Sequence, residues 1–144
     1  SPEPLHLLHQ ADEDFYNLLR DWQNAAIRNR PIAQVKAVEE ISRLGRENQK
    51  QFLRYFTHLL QQAIKLQILS GAALEQKLAA LSPNEQEFAQ RLNKAASLEQ
   101  QEAIIEELDK AAYYIERNAN AKILFHALTI RLHHIIKNSV VVLV

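Results

Sequence analysis

The sequence predicts an all-α protein: a single bundle of about six or seven mostly antiparallel helices. The first observation is composition. Only two Gly and four Pro occur among 144 residues, whereas Ala, Leu, Gln, Glu, Lys and Arg, which lose little free energy on entering a helix, are abundant. The second is pattern, because apolar residues recur at i, i+3, i+4 and i+7 in stretches separated by short polar breaks. The hydrophobic fraction, 47%, is that of a globular chain.

The first half of the chain predicts three helices. Asp12 is positioned to cap a helix over residues 12–28. A second helix over 31–44 begins at a proline, which fits the first turn because the N–H it lacks has no partner there. Gly45 follows, where a positive φ is expected. The third helix, 47–69, carries its apolar residues on one side.

The second half predicts a short helix over residues 73–81 and then two helices with strong start signals. Ser82 and Ser97 are each followed three residues later by Glu or Gln, which is the capping-box pattern. These helices are expected to end near residues 96 and 117, and a last helix is expected over 121–137.

We expect residues 12–138 to form the folded domain. Residues 1–11 are expected to be a linker or an added N-terminal segment, and residues 139–144 an apolar tail, either a short strand or disordered. The first residues show neither an initiator Met nor a signal-peptide pattern, so we expect the chain to be a piece of a longer protein. No apolar run reaches the roughly 20 residues that span a membrane.

The last predicted helix is apolar around most of its circumference, and Arg131 lies within the apolar arc. Two interpretations remain open. The helix is either the centre of its own bundle, or it contacts both its own domain and a neighbouring protein. Arg is enriched and Lys depleted at protein interfaces, which favours the second interpretation.

The sequence offers no catalytic, cofactor or metal site. It contains no Cys, and its two glycines lie too far apart for a phosphate-binding loop. His6 and His9 have helical spacing but no third ligand nearby, and adjacent His133 and His134 would point about 100° apart on a helix. We therefore expect no enzyme activity, no cofactor and no small-molecule substrate.

Residues 28–65 contain more bases than acids, which leaves open a nucleic-acid-binding module. However, no aromatic residues alternate with the bases in a stacking pattern, and acids interrupt them at helical spacing. A solvated, partly paired surface is the other interpretation. The bases are Arg28, Arg30, Lys36, Arg43, Arg46, Lys50 and Arg54.

Three stretches resemble the C-terminal region of the delta-prime subunits of bacterial DNA polymerase III clamp loaders, which belong to the AAA+ family. The most specific is YYIERNANAKILF over residues 113–125, in which a helix ends at Arg-Asn and an Asn-x-Asn-x-Lys cap precedes an apolar helix. The others are ISRLGRENQKQFL over 41–53 and NEQEFAQ over 84–90. The related gamma/tau subunits remain an alternative. The Val-rich end has no counterpart in this resemblance.

The resemblance implies a helical collar domain that holds a clamp loader together in the bacterial cytoplasm, while the rest of the complex places the sliding clamp on primed DNA. Its partners would be the delta and gamma/tau subunits, with DNA contacted only indirectly and no membrane contact. A helix-binding adaptor is the further alternative. The candidate interface residues are Leu124, Leu128, Arg131, Leu132, Asn118, Asn120 and Lys122.

Overall fold

The computed structural model describes the backbone of residues 4–142 and the side chains of residues 14–137. This part of the chain forms seven helices and no strand, which confirms the predicted all-α bundle. The helices are α1 (Pro4–Ile27), α2 (Pro31–Ser42), α3 (Arg46–Ile68), α4 (Gly71–Ala80), α5 (Pro83–Ala95), α6 (Leu98–Glu116) and α7 (Ala121–Val142).

Local sequence signals determine where most of these helices begin. The side chain of Ser82 accepts a hydrogen bond from the backbone N–H of Glu85, whose carboxylate accepts one in return from the Ser82 N–H. Ser97 and Gln100 make the same reciprocal pair at the start of α6. Both predicted capping boxes are therefore confirmed. Pro31 is the first residue of α2, as predicted.

The predicted start of the first helix at Asp12 is wrong. Helix α1 begins at Pro4, so Asp12 lies inside it and does not cap it. Proline is compatible with a helix start because the first N–H groups have no intrahelical acceptor. Residues 5–12 contain neither Gly nor a second Pro to interrupt the helix. Residues 4–11, expected to be a linker, are therefore helical, and residues 1–3 lie outside the described residues.

The apolar C-terminal tail also differs from its expected form. Helix α7 continues past Lys137 to Val142, so residues 140–142 are helical and do not form a strand. Valine costs a helix only a few tenths of a kcal/mol per residue relative to good helix formers, so no residue after Lys137 forces an earlier end. Residues 143–144 lie outside the described part of the chain.

One core takes buried residues from six of the seven helices. At its centre is Trp22, whose ring centroid lies 5.7 Å from that of Phe52 and 5.9 Å from those of Phe56 and Phe125. Such inclined aromatic pairs contribute about 0.5–1.5 kcal/mol each beyond the burial of their surface. These four rings join α1, α3 and α7.

Helices α3 and α7 make most of the contacts between helices around this core. Helix α3 packs against α1, α5 and α6, and α7 packs against α1, α2 and α6. Helix α4 is different, because none of its 10 residues is buried. Its C-terminal end is held by Gln86, whose side-chain amide donates hydrogen bonds to the carbonyl oxygens of Leu78 and Leu81.

Candidate protein interface

Helix α7 is positioned by hydrogen bonds from the inside of the bundle. The indole Nε1 of Trp22 donates a 2.7 Å hydrogen bond to Thr129 Oγ1, and that hydroxyl donates a 2.6 Å bond to the carbonyl oxygen of Phe125. His133 Nδ1 lies 3.0 Å from the carbonyl oxygen of Ala26 at the end of α1. Because these contacts fix the rotation of α7 about its axis, they also determine which side of the helix faces solvent.

The α6–α7 pair is antiparallel. The side-chain amide of Gln100, near the start of α6, donates hydrogen bonds to the carbonyl oxygens of Ile135 and Ile136. Further along, Arg131 Nη1 lies 3.4 Å from Glu107 Oε1. Arg131, which lies among apolar residues on the helical wheel, is thus exposed at the edge of the helix that faces α6.

Leu128 and Leu132, two of the predicted interface residues, are buried in the core, and Leu124 is half-buried against it. Leu128 and Leu132 therefore support the bundle from within, and Leu124 is only partly accessible. Of the five apolar and basic residues proposed on this helix, Lys122 and Arg131 are exposed.

The two predicted asparagines build the connection between α6 and α7. Asn118 has a φ of +64°, a conformation that Asn adopts more readily than most residues. Asn120 Oδ1 accepts a 3.0 Å hydrogen bond from the backbone N–H of Ile123, which makes it the cap of α7. Lys122 Nζ lies 3.9 Å from Glu39 Oε1 and so links α7 to α2. Each of these residues has a contact within its own chain.

The exposed side of α7 is apolar over residues 123–130. Ile123, Ala127 and Ile130 lie at i, i+4 and i+7, on the side opposite the buried Phe125. On α2, Ile32 and Val35 are exposed at i and i+3 before Glu39, the residue that contacts Lys122. The α2–α7 face is defined by five of these residues: Ile32, Val35, Ile123, Ala127 and Ile130. Exposure is 88% at Ile32, 70% at Ile123 and 56% at Ile130.

A groove of about 330 Å³ lies between α6 and α7, next to the α2–α7 face. Leu124, Leu128 and Ala111 line its base, while Tyr114 and Arg131 stand at its edges. The complete lining of this α6–α7 groove is Glu107, Lys110, Ala111, Tyr114, Leu124, Ala127, Leu128 and Arg131. Ala127 belongs to both surfaces, so the groove and the face form one continuous area.

On the opposite side of α6, an ion-pair cluster joins it to α3. Lys50 Nζ lies 2.6 Å from Glu47 Oε2 and 3.5 Å from Glu116 Oε1. The hydrogen bond from Lys50, with its positive charge, lowers the pKa of Glu47. The same hydrogen bond and the charges of Glu47 and Glu116 raise the pKa of Lys50. This cluster stabilises the bundle and lies away from the groove.

The seven bases considered for nucleic-acid binding are not arranged as one cationic surface. Lys50 is paired with acids, as described, and Arg43 lies 3.9 Å from Glu39. Arg28, Arg30 and Lys36 line a groove between α1 and α2 that also contains Asp21 and Glu40. Acidic side chains therefore lie among the bases in space, as they do in the sequence.

Ile32, Val35, Ile123 and Ile130 were not among the residues predicted for an interface. A helical wheel shows that α7 has apolar residues on most sides, but it does not show which side the bundle covers. The spacing of 123, 127 and 130 was the available signal, since i, i+4, i+7 repeats are typical of helix-packing seams.

Comparison of the chain with protein-family models, with curated proteins and with solved structures finds no match. The fold and the surface therefore define the class of this protein: an all-α bundle with an exposed apolar face. Within the described residues, no group of three or more His, Cys, Asp or Glu side chains is placed to hold a metal ion. None of the described helices has the length and apolarity needed to cross a bilayer.

Proposed function

We propose that this chain is the collar domain of a bacterial clamp-loader subunit, most closely of the delta-prime type, and that it works by joining subunits. The single observation that carries the proposal is the α2–α7 face. The core is already filled by large buried side chains, yet three isoleucines remain more than half exposed on two neighbouring helices. Exposed apolar residues grouped on neighbouring helices in this way are typical of protein interaction sites.

The α6–α7 connection supports the same proposal. The residues that carry the resemblance, from Tyr113 to Phe125, form a helix end, a left-handed Asn118 and a cap at Asn120. The Arg117 guanidinium lies 3.4 Å from the centroid of the Tyr113 ring and donates a 3.1 Å hydrogen bond to the Tyr113 carbonyl oxygen. A fixed corner of this kind holds α7 at a defined angle, as a domain that organises a ring of subunits requires.

The test is assembly in solution. The protein is mixed with the collar domains of the delta and gamma/tau subunits of its own organism, and complexes are measured by size-exclusion chromatography with light scattering. We expect co-migration with at least one of them. If the protein co-migrates with none of these domains at concentrations of tens of micromolar, the proposed function is wrong.

A variant pair locates the surface. Ile130→Glu places a charge on the α2–α7 face and is expected to weaken the complex by about 30-fold or more, the loss typical of a residue that dominates an interface. Ile68→Glu is the matched control, because Ile68 is 68% exposed at the far end of α3. Equal weakening by both substitutions would exclude the α2–α7 face as the contact surface.

The nucleic-acid alternative is tested with the same sample. Duplex and primed DNA at low salt are expected not to bind the isolated chain, since acids lie among its bases. Binding that falls steeply with rising salt would support that alternative instead.

A further inference from the structure

The charges of the α6–α7 groove are unbalanced. Lys110 Nζ and Arg131 Nη1 lie 3.5 Å and 3.4 Å from the same carboxylate, that of Glu107. The Glu107 side chain is only 15% exposed, whereas both cations are 64% exposed. Two accessible positive charges thus share one largely covered negative charge, which gives the residues that line the groove a net charge of +1.

Glu107 orients the two cations without using all their donors. A guanidinium has five N–H donors and an ammonium has three, and one carboxylate accepts only some of them. The remaining donors of Arg131 and Lys110 are open to solvent or to a second carboxylate. Arg in particular binds carboxylates in a planar, two-pronged geometry.

Helix α7, which carries Arg131, contains no acidic residue, because residues 117–142 include neither Asp nor Glu. Its exposed seam at 123, 127 and 130 is apolar, with the small residue Ala127 where the seam meets the groove. A small side chain lets a neighbouring helix approach closely, and a groove between two antiparallel helices accepts a third helix along its length.

We infer that the α6–α7 groove binds an amphipathic helix of a partner protein, with an acidic residue of that helix seated between Arg131 and Lys110 and its apolar stripe against Ala127 and Tyr114. This inference deepens the proposed function, on which it rests for the partner being another subunit. The new element is the chemistry of the partner, an apolar stripe bordered by carboxylates.

The experiment uses two synthetic helices of about 20 residues, long enough to be helical in isolation. They share one leucine stripe, bordered by Glu in the acidic peptide and by Lys in the basic peptide. Binding to the full chain is measured by fluorescence anisotropy. We expect the acidic peptide to bind at least about 10-fold more tightly than the basic one, and its advantage to shrink as salt screens the charges.

Two variants locate the interaction. Arg131→Glu is expected to remove or reverse the preference for the acidic peptide, and Arg131→Gln to reduce it. Lys137→Glu is the control, because Lys137 is an exposed cation on α7 that does not line the groove. Circular dichroism of each variant checks that the fold is retained. Equal binding of both peptides, absence of binding, or an equal effect of the Arg131 and Lys137 substitutions would overturn the inference.

Failure of the inference is distinguishable from failure of the proposed function. If collar domains bind and Ile130→Glu abolishes that binding, while Arg131→Glu leaves it unchanged, the function stands and the partner chemistry is wrong. If the acidic peptide binds through Arg131 but no collar domain does, the groove is a helix-binding site in a protein of another function.

Discussion

The hydrogen bond between Trp22 and Thr129 makes a quantitative prediction about stability. Both side chains are buried, and their Nε1 and Oγ1 atoms are 2.7 Å apart. Thr129→Val keeps the shape and nearly the same helix propensity but removes the only described acceptor of the indole N–H. A buried donor without a partner costs about 1–3 kcal/mol. We therefore expect the free energy of unfolding to fall by about 2 kcal/mol.

The loss is large enough to measure. With an unfolding entropy of about 2 cal/mol/K per residue, a change of about 2 kcal/mol lowers the melting temperature of a chain of this length by about 7 °C. Urea unfolding followed by circular dichroism at 222 nm measures the same change at 25 °C. Thr57→Val on α3 is the matched control, because Thr57 is half-buried on the outer part of the bundle, and less than about 0.5 kcal/mol is expected there.

A double-mutant cycle tests the reasoning itself. In a Trp22→Phe background the donor is gone, so Thr129→Val should cost little, and the coupling between the two positions should be about 1 kcal/mol or more. If Thr129→Val costs as much in that background as in the native chain, the loss comes from packing. The hydrogen bond would then not be what positions α7.

Two further predictions concern a turn and an ion-pair cluster. Asn118→Ala is expected to cost about 1 kcal/mol, because Asn tolerates a φ of +64° better than other residues that carry a Cβ. Asn118→Gly is expected to cost nothing, because Gly has no Cβ. Equal melting temperatures for the Ala and Gly variants would contradict this. Lys50→Met is expected to destabilise the protein at pH 7 and much less at pH 3. Lys50 lowers the pKa of Glu47 in the folded protein. The ion pair therefore contributes stability above the ordinary pKa of Glu47, and this stability is lost as the pH falls through the lowered pKa. Urea unfolding at pH 7, 5 and 3 measures the effect, and a pH-independent loss would show that packing of the Lys50 stem is responsible.

The positions of most helices could be predicted because they depend on local chemistry. Ser82 and Ser97 accept hydrogen bonds from residues three positions away, so the capping pattern is complete within four residues of sequence. The start of α1 at Pro4 was missed since proline is compatible both with a helix start and with a linker, and no local signal separates the two.

The candidate interface could not be predicted residue by residue, because burial depends on partners distant in sequence. Thr129 is polar, and it can be buried because its hydroxyl accepts a hydrogen bond from the indole N–H of Trp22, which lies 107 positions away in the sequence. Arg131 is exposed beside Glu107, although its neighbours on the wheel are apolar. Leu128 and Ile130 have similar hydrophobicity, and only the packing of α1, α2 and α6 around α7 decides that one is covered and the other exposed.

Helix α4 has a practical consequence for experiments on this protein. Because it contributes no buried residue and is held at its C-terminal end by Gln86, its amide hydrogens are expected to exchange with solvent through local opening, well before those of α3. Polypeptide inserted between Gly71 and Ala80 would disturb little of the core. A fluorescent label placed there would test the proposed joining of subunits while leaving α2, α6 and α7 unmodified.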